Sequence, residues 1–198
     1  MLKKMWCAAL AGGLMVSASF AAADGWTLIG ETSKLAFGSV KLEDLGEVHS
    51  FERLSGSVDD TGAVSVEIDL TSVQTEIDIR NERMNEHVFA GLATAKLSAQ
   101  VDMEAMTAMA AGATATQEVD FTLSFLGQEV ELYSNVFIAR LSEDQVIVSS
   151  SDILFVSTDE LGIDAGVDKL QELAGLDSIT RTVPVTFRLM FSSAASES

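Results

Sequence analysis

The chain has 198 residues, one cysteine, one proline and a formal net charge of −18 at pH 7. That length, with 47% hydrophobic residues, allows one domain with a substantial core and excludes a disordered chain or linker-joined modules. So acidic a surface repels nucleic-acid phosphates and anionic lipid head groups, which excludes both as surface partners and reads as a means of solubility.

Residues 1–23 read as an export signal. Lys3 and Lys4 make a basic start, and Trp6 to Phe20 is an apolar run too short and wrongly flanked for a membrane span. Ala21-Ala22-Ala23 offers small residues for cleavage after Ala23. Cys7 lacks the small-residue box of a lipoprotein cysteine and would leave with the signal. Residues 24–198 then hold no thiol and no disulfide.

The mature chain reads as a succession of short strands. Trp26 to Ile29 is the first, and Leu35 to Val40 comes second. Glu43 to Gly46 is a polar loop, and Val48 to Phe51 is extended again. Leu54 to Val58 breaks at Asp59-Asp60-Thr61-Gly62, residues suited to a tight turn. Val64, Val66, Ile68 and Leu70 then alternate with Ser65, Glu67, Asp69 and Thr71, the period of a strand with one buried and one wet face. Asn81 to Phe89 reads as a short helix or corner, and Leu97, Ala99, Val101 and Met103 alternate once more.

Met103, Met106 and Met109 or Ala110 share one side at helical spacing within a stretch reaching Thr116, with Gly112 as a stop. Such a stripe packs on a barrel or caps one end, or touches a flexible ligand. Val119, Phe121, Leu123 and Phe125 form the next buried face, turning at Gly127-Gln128 into Val130 to Ala139. Val146 to Ser149 and Ile153 to Ser157 extend further. A helix is expected over Asp164 to Ala174, capped by Gly175. The last strand, Val183 to Phe191, sets Val183, Val185, Phe187, Leu189 and Phe191 on one face. Pro184 removes a ladder donor and predicts a bulge or unpaired site. Ser192 to Ser198 reads as a frayed polar tail.

Strands and turns at this spacing, without long intervening helices, predict an all-β antiparallel meander with minor helix. Eight strands is the number at which a barrel closes with space for side chains or one small ligand. An outer-membrane barrel does not fit, because Trp26 and Tyr133 are the only mature Trp and Tyr and the outward faces are Ser, Thr, Asp and Glu.

The pattern Val64, Val66, Ile68, Leu70, Ser72, Val73, Thr75, then Arg80, Asn81, Arg83, Met84 and Phe89, resembles the core signature of the YceI family. Ser33 and Phe37 match the start of that pattern, and Leu161-Gly162-Ile163 is similar to a later part of it. The resemblance covers most of Trp26 to Phe191. It implies a periplasmic protein of residues 24–198 folded as a lipocalin-like barrel that holds a polyisoprenoid-type lipid. Departures are present: Arg80-Asn81-Glu82-Arg83-Met84 stands where the family commonly has R-D-x-H-L, and Ala93-Thr94-Ala95 where it has a Tyr-Pro step.

The residues alone leave a filled and a hollow barrel equally open; the resemblance favours the hollow one. Its apolar lining would come from Phe37, Val66, Ile68, Leu70, Phe89, Phe121, Leu123, Phe125, Phe187 and Leu189. Arg80, Arg83 and His87 cluster after the central hairpin and are candidates for a head group, set against ordinary pairing with Glu76, Asp78, Glu82 or Glu86. His49 and His87 are the only histidines, and neither has metal-ligand spacing. No nucleophile elbow, phosphate loop or dinucleotide fingerprint appears. The expectation is therefore a non-enzymatic, exported binding protein for a polyisoprenoid or quinone-type lipid. It needs no metal and no cofactor beyond bound lipid and has no stable membrane insertion; a dimer is left open. The alternative is a filled barrel acting as a structural or protein-interaction module of the envelope.

Overall fold

The computed structural model describes residues 25–193, so the export signal expected over residues 1–23 lies outside the described residues. Twelve strand segments form one antiparallel sheet: β1 (Trp26–Leu28), β2 (Lys34–Lys41), β3 (Leu45–Phe51), β4 (Leu54–Val58), β5 (Ala63–Asp69), β6 (Val73–Gln74), β7 (Thr94–Gln100), β8 (Thr114–Phe125), β9 (Gln128–Arg140), β10 (Gln145–Ser150), β11 (Leu154–Ser157) and β12 (Thr182–Ser193). Four pairs of these, β1/β2, β3/β4, β5/β6 and β10/β11, are halves of a single bent strand, because each half pairs with the same neighbouring run. β1 pairs with β4 while β2 pairs with β3, and β4 pairs with β5 while β3 pairs with β6. Counted this way the barrel has eight strands. It closes where β12 meets β1 at Ser193↔Trp26 and β2 at Val185↔Phe37. Closure pairs most strand edges, while β11 lies off the closed path and is hydrogen-bonded only to β12.

Alternation sets which side chains enter. In β5, Val66 and Ile68 are buried while Glu67 is exposed; in β8, Val119, Phe121 and Phe125 are buried; in β12, Phe187, Leu189 and Phe191 are buried between exposed Thr186 and Arg188. The β4–β5 turn forms as its residues require. Asp59 Oδ1 accepts hydrogen bonds from the Thr61 and Ala63 N–H groups and the Thr61 hydroxyl. Gly62 holds φ +86°, where a Cβ would stand 2.0 Å from the Val101 carbonyl oxygen.

A bend interrupts the ladder, and at three bends a serine hydroxyl takes the place of the missing partner. Ser33 Oγ accepts from Met190 N–H and donates to Ile29 O beside the 3₁₀ turn Gly30–Thr32. Buried Ser72 Oγ accepts from both Glu52 and Arg53 N–H and donates to Asp69 O, knitting the β3/β4 bend to the β5/β6 bend. Ser150 Oγ accepts from Phe187 N–H where β12 changes partner from β10 to β11. Orphan backbone donors inside a barrel cost enough that such replacements are expected.

The helices close the ends. α1 (Asp78–Arg83) runs on as a π turn, Met84–Val88, which carries the corner expected after the central hairpin. α3 (Asp164–Ala174) has the expected bounds, with Gly175 left-handed at φ 63° as its cap. α3 rests directly on the π turn: a Cβ on Gly166 would lie 2.3 Å from His87 O and 2.8 Å from Val88 Cα.

Two expectations need correction. The helix expected from the methionine spacing does not run on to its stop at Gly112. α2 is only Met103–Thr107, capped by Asp102 Oδ1 accepting from Ala105 N–H. Residues 108–113 form turns, with Gly112 N–H donating to Arg140 O, before β8 opens the long β8–β9 hairpin at Thr114. Nor does the chain fray at Ser192, since Ser192 and Ser193 pair with Thr27 and Trp26; residues 194–198 lie outside the described residues. Pro184 sits opposite Phe155 in β11, next to the switch of partners, and its ring lies against Gly38.

Candidate ligand-binding cavity

The inward faces leave a cavity of about 480 Å³ in one half of the barrel. Phenyl rings run along its wall. Phe37 stacks on Phe51 with centroids 5.3 Å apart, Phe51 meets Phe89 at 5.9 Å, and Phe89 meets Phe125 edge-on at 6.1 Å. Val88 from the π turn and Val167 and Leu170 from α3 line it too, so the helical corner is part of the wall. Ile77 and Ile79, beside and within α1, also line the cavity while 44% and 51% exposed, which puts its mouth at this corner.

A second void of about 80 Å³ occupies the other half. Phe121, Phe187 and Leu97 line both, so they form the partition. Beyond it, Met103, Met106 and Trp26 narrow the space, and Arg140 lies 4.8 Å over the Trp26 ring. The barrel is thus hollow towards α1 and nearly filled towards α2.

Of the lining expected from alternation, Phe37, Ile68, Leu70, Phe89, Phe121, Leu123, Phe125 and Phe187 border the large cavity. Val66 and Leu189 do not; they border the small one, because they stand nearer the α2 end of their strands. Arg80 and Arg83 reach the large cavity, but the structure does not bring His87 there. Its imidazole stands 3.9 Å from Glu86, and its backbone is covered by α3.

The wall turns polar towards the β2–β3 hairpin. The alternating residues Leu35, Phe37, Ser39 and Lys41 face Phe51, His49 and Glu47 across β2 and β3, and all seven line the cavity. Glu47 is shared by two cations, taking Lys41 Nζ at 3.1 Å and Arg80 Nη1 at 2.8 Å. Burial raises the Glu47 pKa, but the hydrogen bonds and charges of Lys41 and Arg80 together outweigh it and hold the carboxyl below its ordinary value. Arg80 Nη2 donates to Thr75 O at 2.5 Å. Thr75, 1% exposed, in turn donates its N–H and hydroxyl to Asn81 Oδ1. An aspartate oxygen would accept the same two bonds, so Asn81 in place of the family's Asp preserves the corner. Arg83 Nη1 donates weakly to Leu173 O at 3.4 Å.

His49, which the sequence does not mark as a site residue, belongs to this wall. It is 5% exposed, its Nε2 lies 3.1 Å from Ser39 Oγ, and Phe37 packs edge-on at 5.3 Å. Burial first, then the charges of Arg80 and Lys41, push its pKa below the ordinary histidine value against the pull of Glu47. Among the described residues no group of three or more His, Cys, Asp or Glu side chains could hold a metal ion. No described helix is long and apolar enough to cross a membrane.

No family model matches the sequence, and no curated protein does. Solved structures do. A polyisoprenoid-binding domain from Saccharophagus degradans, implicated in plant cell wall breakdown, superposes with a TM-score of 0.83 at 32% identity, covering 85% of this chain and 98% of that one. BcnA of Burkholderia cenocepacia superposes at 0.63 with 14% identity over 82% and 98%, a likeness of fold alone. Barrel, helical corner and apolar cavity define a hollow lipocalin-like barrel. The chain belongs to the YceI-like family.

Proposed function

We propose that this protein is an exported, non-enzymatic carrier or store for a polyisoprenoid-type lipid, held with its apolar chain in the barrel and its polar end towards α1. The observation that carries this reading is the cavity of about 480 Å³ walled by phenyl and aliphatic side chains. That volume falls within the roughly 300–1,000 Å³ of small-molecule sites. At about 0.8 kcal/mol per buried CH₂, a dozen carbons contribute on the order of 10 kcal/mol, enough to offset the lower range of association costs. The similar Saccharophagus domain is named for polyisoprenoid binding, which agrees with this ligand class. Export to the periplasm is supported by the basic, apolar and small-residue order of residues 1–23 and by a remainder without cysteine.

The test is extraction of the purified mature protein with organic solvent and mass spectrometry of the extract. A stoichiometric isoprenoid lipid, or uptake of one by delipidated protein, is expected. Protein that is reproducibly empty and takes up no isoprenoid would overturn the reading.

A further inference from the structure

The mouth of the wide cavity is ringed by exposed apolar side chains. Ile77 and Ile79, at α1, both line the cavity and both face solvent. The tip of the β2–β3 hairpin adds Leu42 and Leu45, each nearly half exposed, and the end of α3 adds Leu173. Leu45 pairs with Lys41, a cavity-lining residue, so it stands on the inward face at the end of the hairpin. Backbone bonds seal the hairpin to the loop after α3: Leu42 N–H donates to Ser178 O, and Thr180 N–H donates to Val40 O. In that loop Leu176 and Ile179 line the cavity, so rim and wall form one apolar surface. Leu42 lies in the left-handed region at φ 54°, a turn position that Asn, Asp or Gly fills most easily. Its side chain thus serves neither the turn nor the barrel core. Exposed apolar surface gathered in one place marks an interaction site.

The charge on the same elements says what covers this rim. Glu43 and Asp44 at the hairpin tip, Asp78 and Glu82 on α1, and Asp177 after α3 are all exposed. The cations there are engaged: Lys41 and Arg80 both hold Glu47, Arg83 is turned to Leu173 O, and Lys169 pairs with Glu172. Resting on the lipid-binding reading, we propose that this rim docks on the surface of a zwitterionic bilayer, and that the apolar chain passes between bilayer and barrel during that contact. A zwitterionic lipid carries its ammonium group outermost, where the rim carboxylates attract it, and its apolar region lies beneath for the Leu and Ile side chains. An anionic surface would repel the same carboxylates. The apolar contacts are few and partly covered, which gives brief docking and not insertion. Contact at the mouth also spares the chain a passage through water, the step that makes unaided release slow.

The experiment loads the mature protein with a fluorescent isoprenoid analogue and follows its transfer to quencher-bearing vesicles at rising vesicle concentration. The vesicles are phosphatidylcholine, or an equal mixture of phosphatidylcholine and phosphatidylglycerol. Wild type is compared with the double variant Leu42→Asn/Leu45→Ser. Neither leucine borders the cavity, and Asn suits the left-handed turn, so the variant should fold and hold the analogue as wild type does. The wild-type rate should rise in proportion to phosphatidylcholine vesicles, the mark of transfer by contact. It should fall about threefold or more on the mixed vesicles and recover with added salt. The double variant should transfer about fivefold or more slowly at each phosphatidylcholine concentration. A rate independent of vesicle concentration, faster transfer to the mixed vesicles, or an unchanged rate in the variant would overturn the docking while leaving the lipid-binding reading in place. Self-association of the wild type that the double variant abolishes would give the rim to a second copy instead. Failure of the wild type to load any isoprenoid would overturn both.

Discussion

Phe121 and Phe187 meet edge to face with ring centroids 6.0 Å apart, and the two rings together divide the interior of the barrel. The space on the α1 side is about 480 Å³ and that on the α2 side about 80 Å³. On the proposed lipid-binding reading, a partition of side chains, and not the length of the barrel, would limit chain length. Phe121→Ala should join the two spaces and shift the preferred isoprenoid to a longer one, read by competition among chains of defined length. Because the ring borders existing space, the variant should lose about 2–3 kcal/mol, at or below the low end for buried Phe→Ala changes. An unchanged length preference in a folded variant would show that the rings set no limit.

The Ser72 hydroxyl serves three backbone groups at once. Ser72→Ala leaves Glu52 N–H its bond to Ser72 O but strands Arg53 N–H, and should cost about 1–3 kcal/mol in denaturant unfolding. Ser33→Ala and Ser150→Ala each strand one donor too and should cost a similar amount. No loss at any of the three positions would contradict this account of the bends.

Gly166 is set by its neighbour and not by its own backbone. In an exposed helix interior Gly→Ala gains about 1 kcal/mol. Here the added methyl meets the backbone of His87 and Val88, so Gly166→Ala should instead destabilise by about 1–3 kcal/mol. It should also weaken lipid retention, because the displaced π turn carries Val88 and leads into Phe89 on the cavity wall. A stabilised variant would contradict the close contact of α3 with the π turn.

Stability should fall with acid in two stages. His49 has its pKa lowered from 6.5 by folding, so just below pH 6.5 the unfolded chain binds the extra proton and stability drops as pH falls. Glu47 and Asp69 are lowered from 4.5 and 3.8, and the stability they contribute above those values is lost on further acidification. His49→Gln should flatten the first stage and leave the second, as followed by denaturation midpoints across pH. A first stage unchanged in that variant would place its origin elsewhere.

Much of this molecule is legible in its sequence. The period of Val64 to Leu70 and of Phe121 to Phe125 declares a half-buried sheet, and Val167, Leu170 and Gly175 mark α3 to the residue. The bends are not legible, because Ser33 and Ser150 look like ordinary strand-end or turn residues until their distant backbone partners are known. The methionine spacing marks α2 and the side on which it packs, but not that the helix stops at Thr107, before Gly112. His49 reads as a lone histidine without ligand spacing. Yet a signal exists: continuing the inward alternation of β2 and β3 past Phe37 and Phe51 reaches Ser39, His49 and Glu47, where the same face turns polar.

The central claim is that an apolar chain lies within the wider half of the barrel, and a crystal structure with an isoprenoid brominated along its tail tests it most directly. The account predicts anomalous bromine peaks inside the barrel, between the Phe37–Phe51–Phe89–Phe125 wall and the Phe121–Phe187 pair. Bromine found only on the outer surface, with those rings closed over the space, would contradict it.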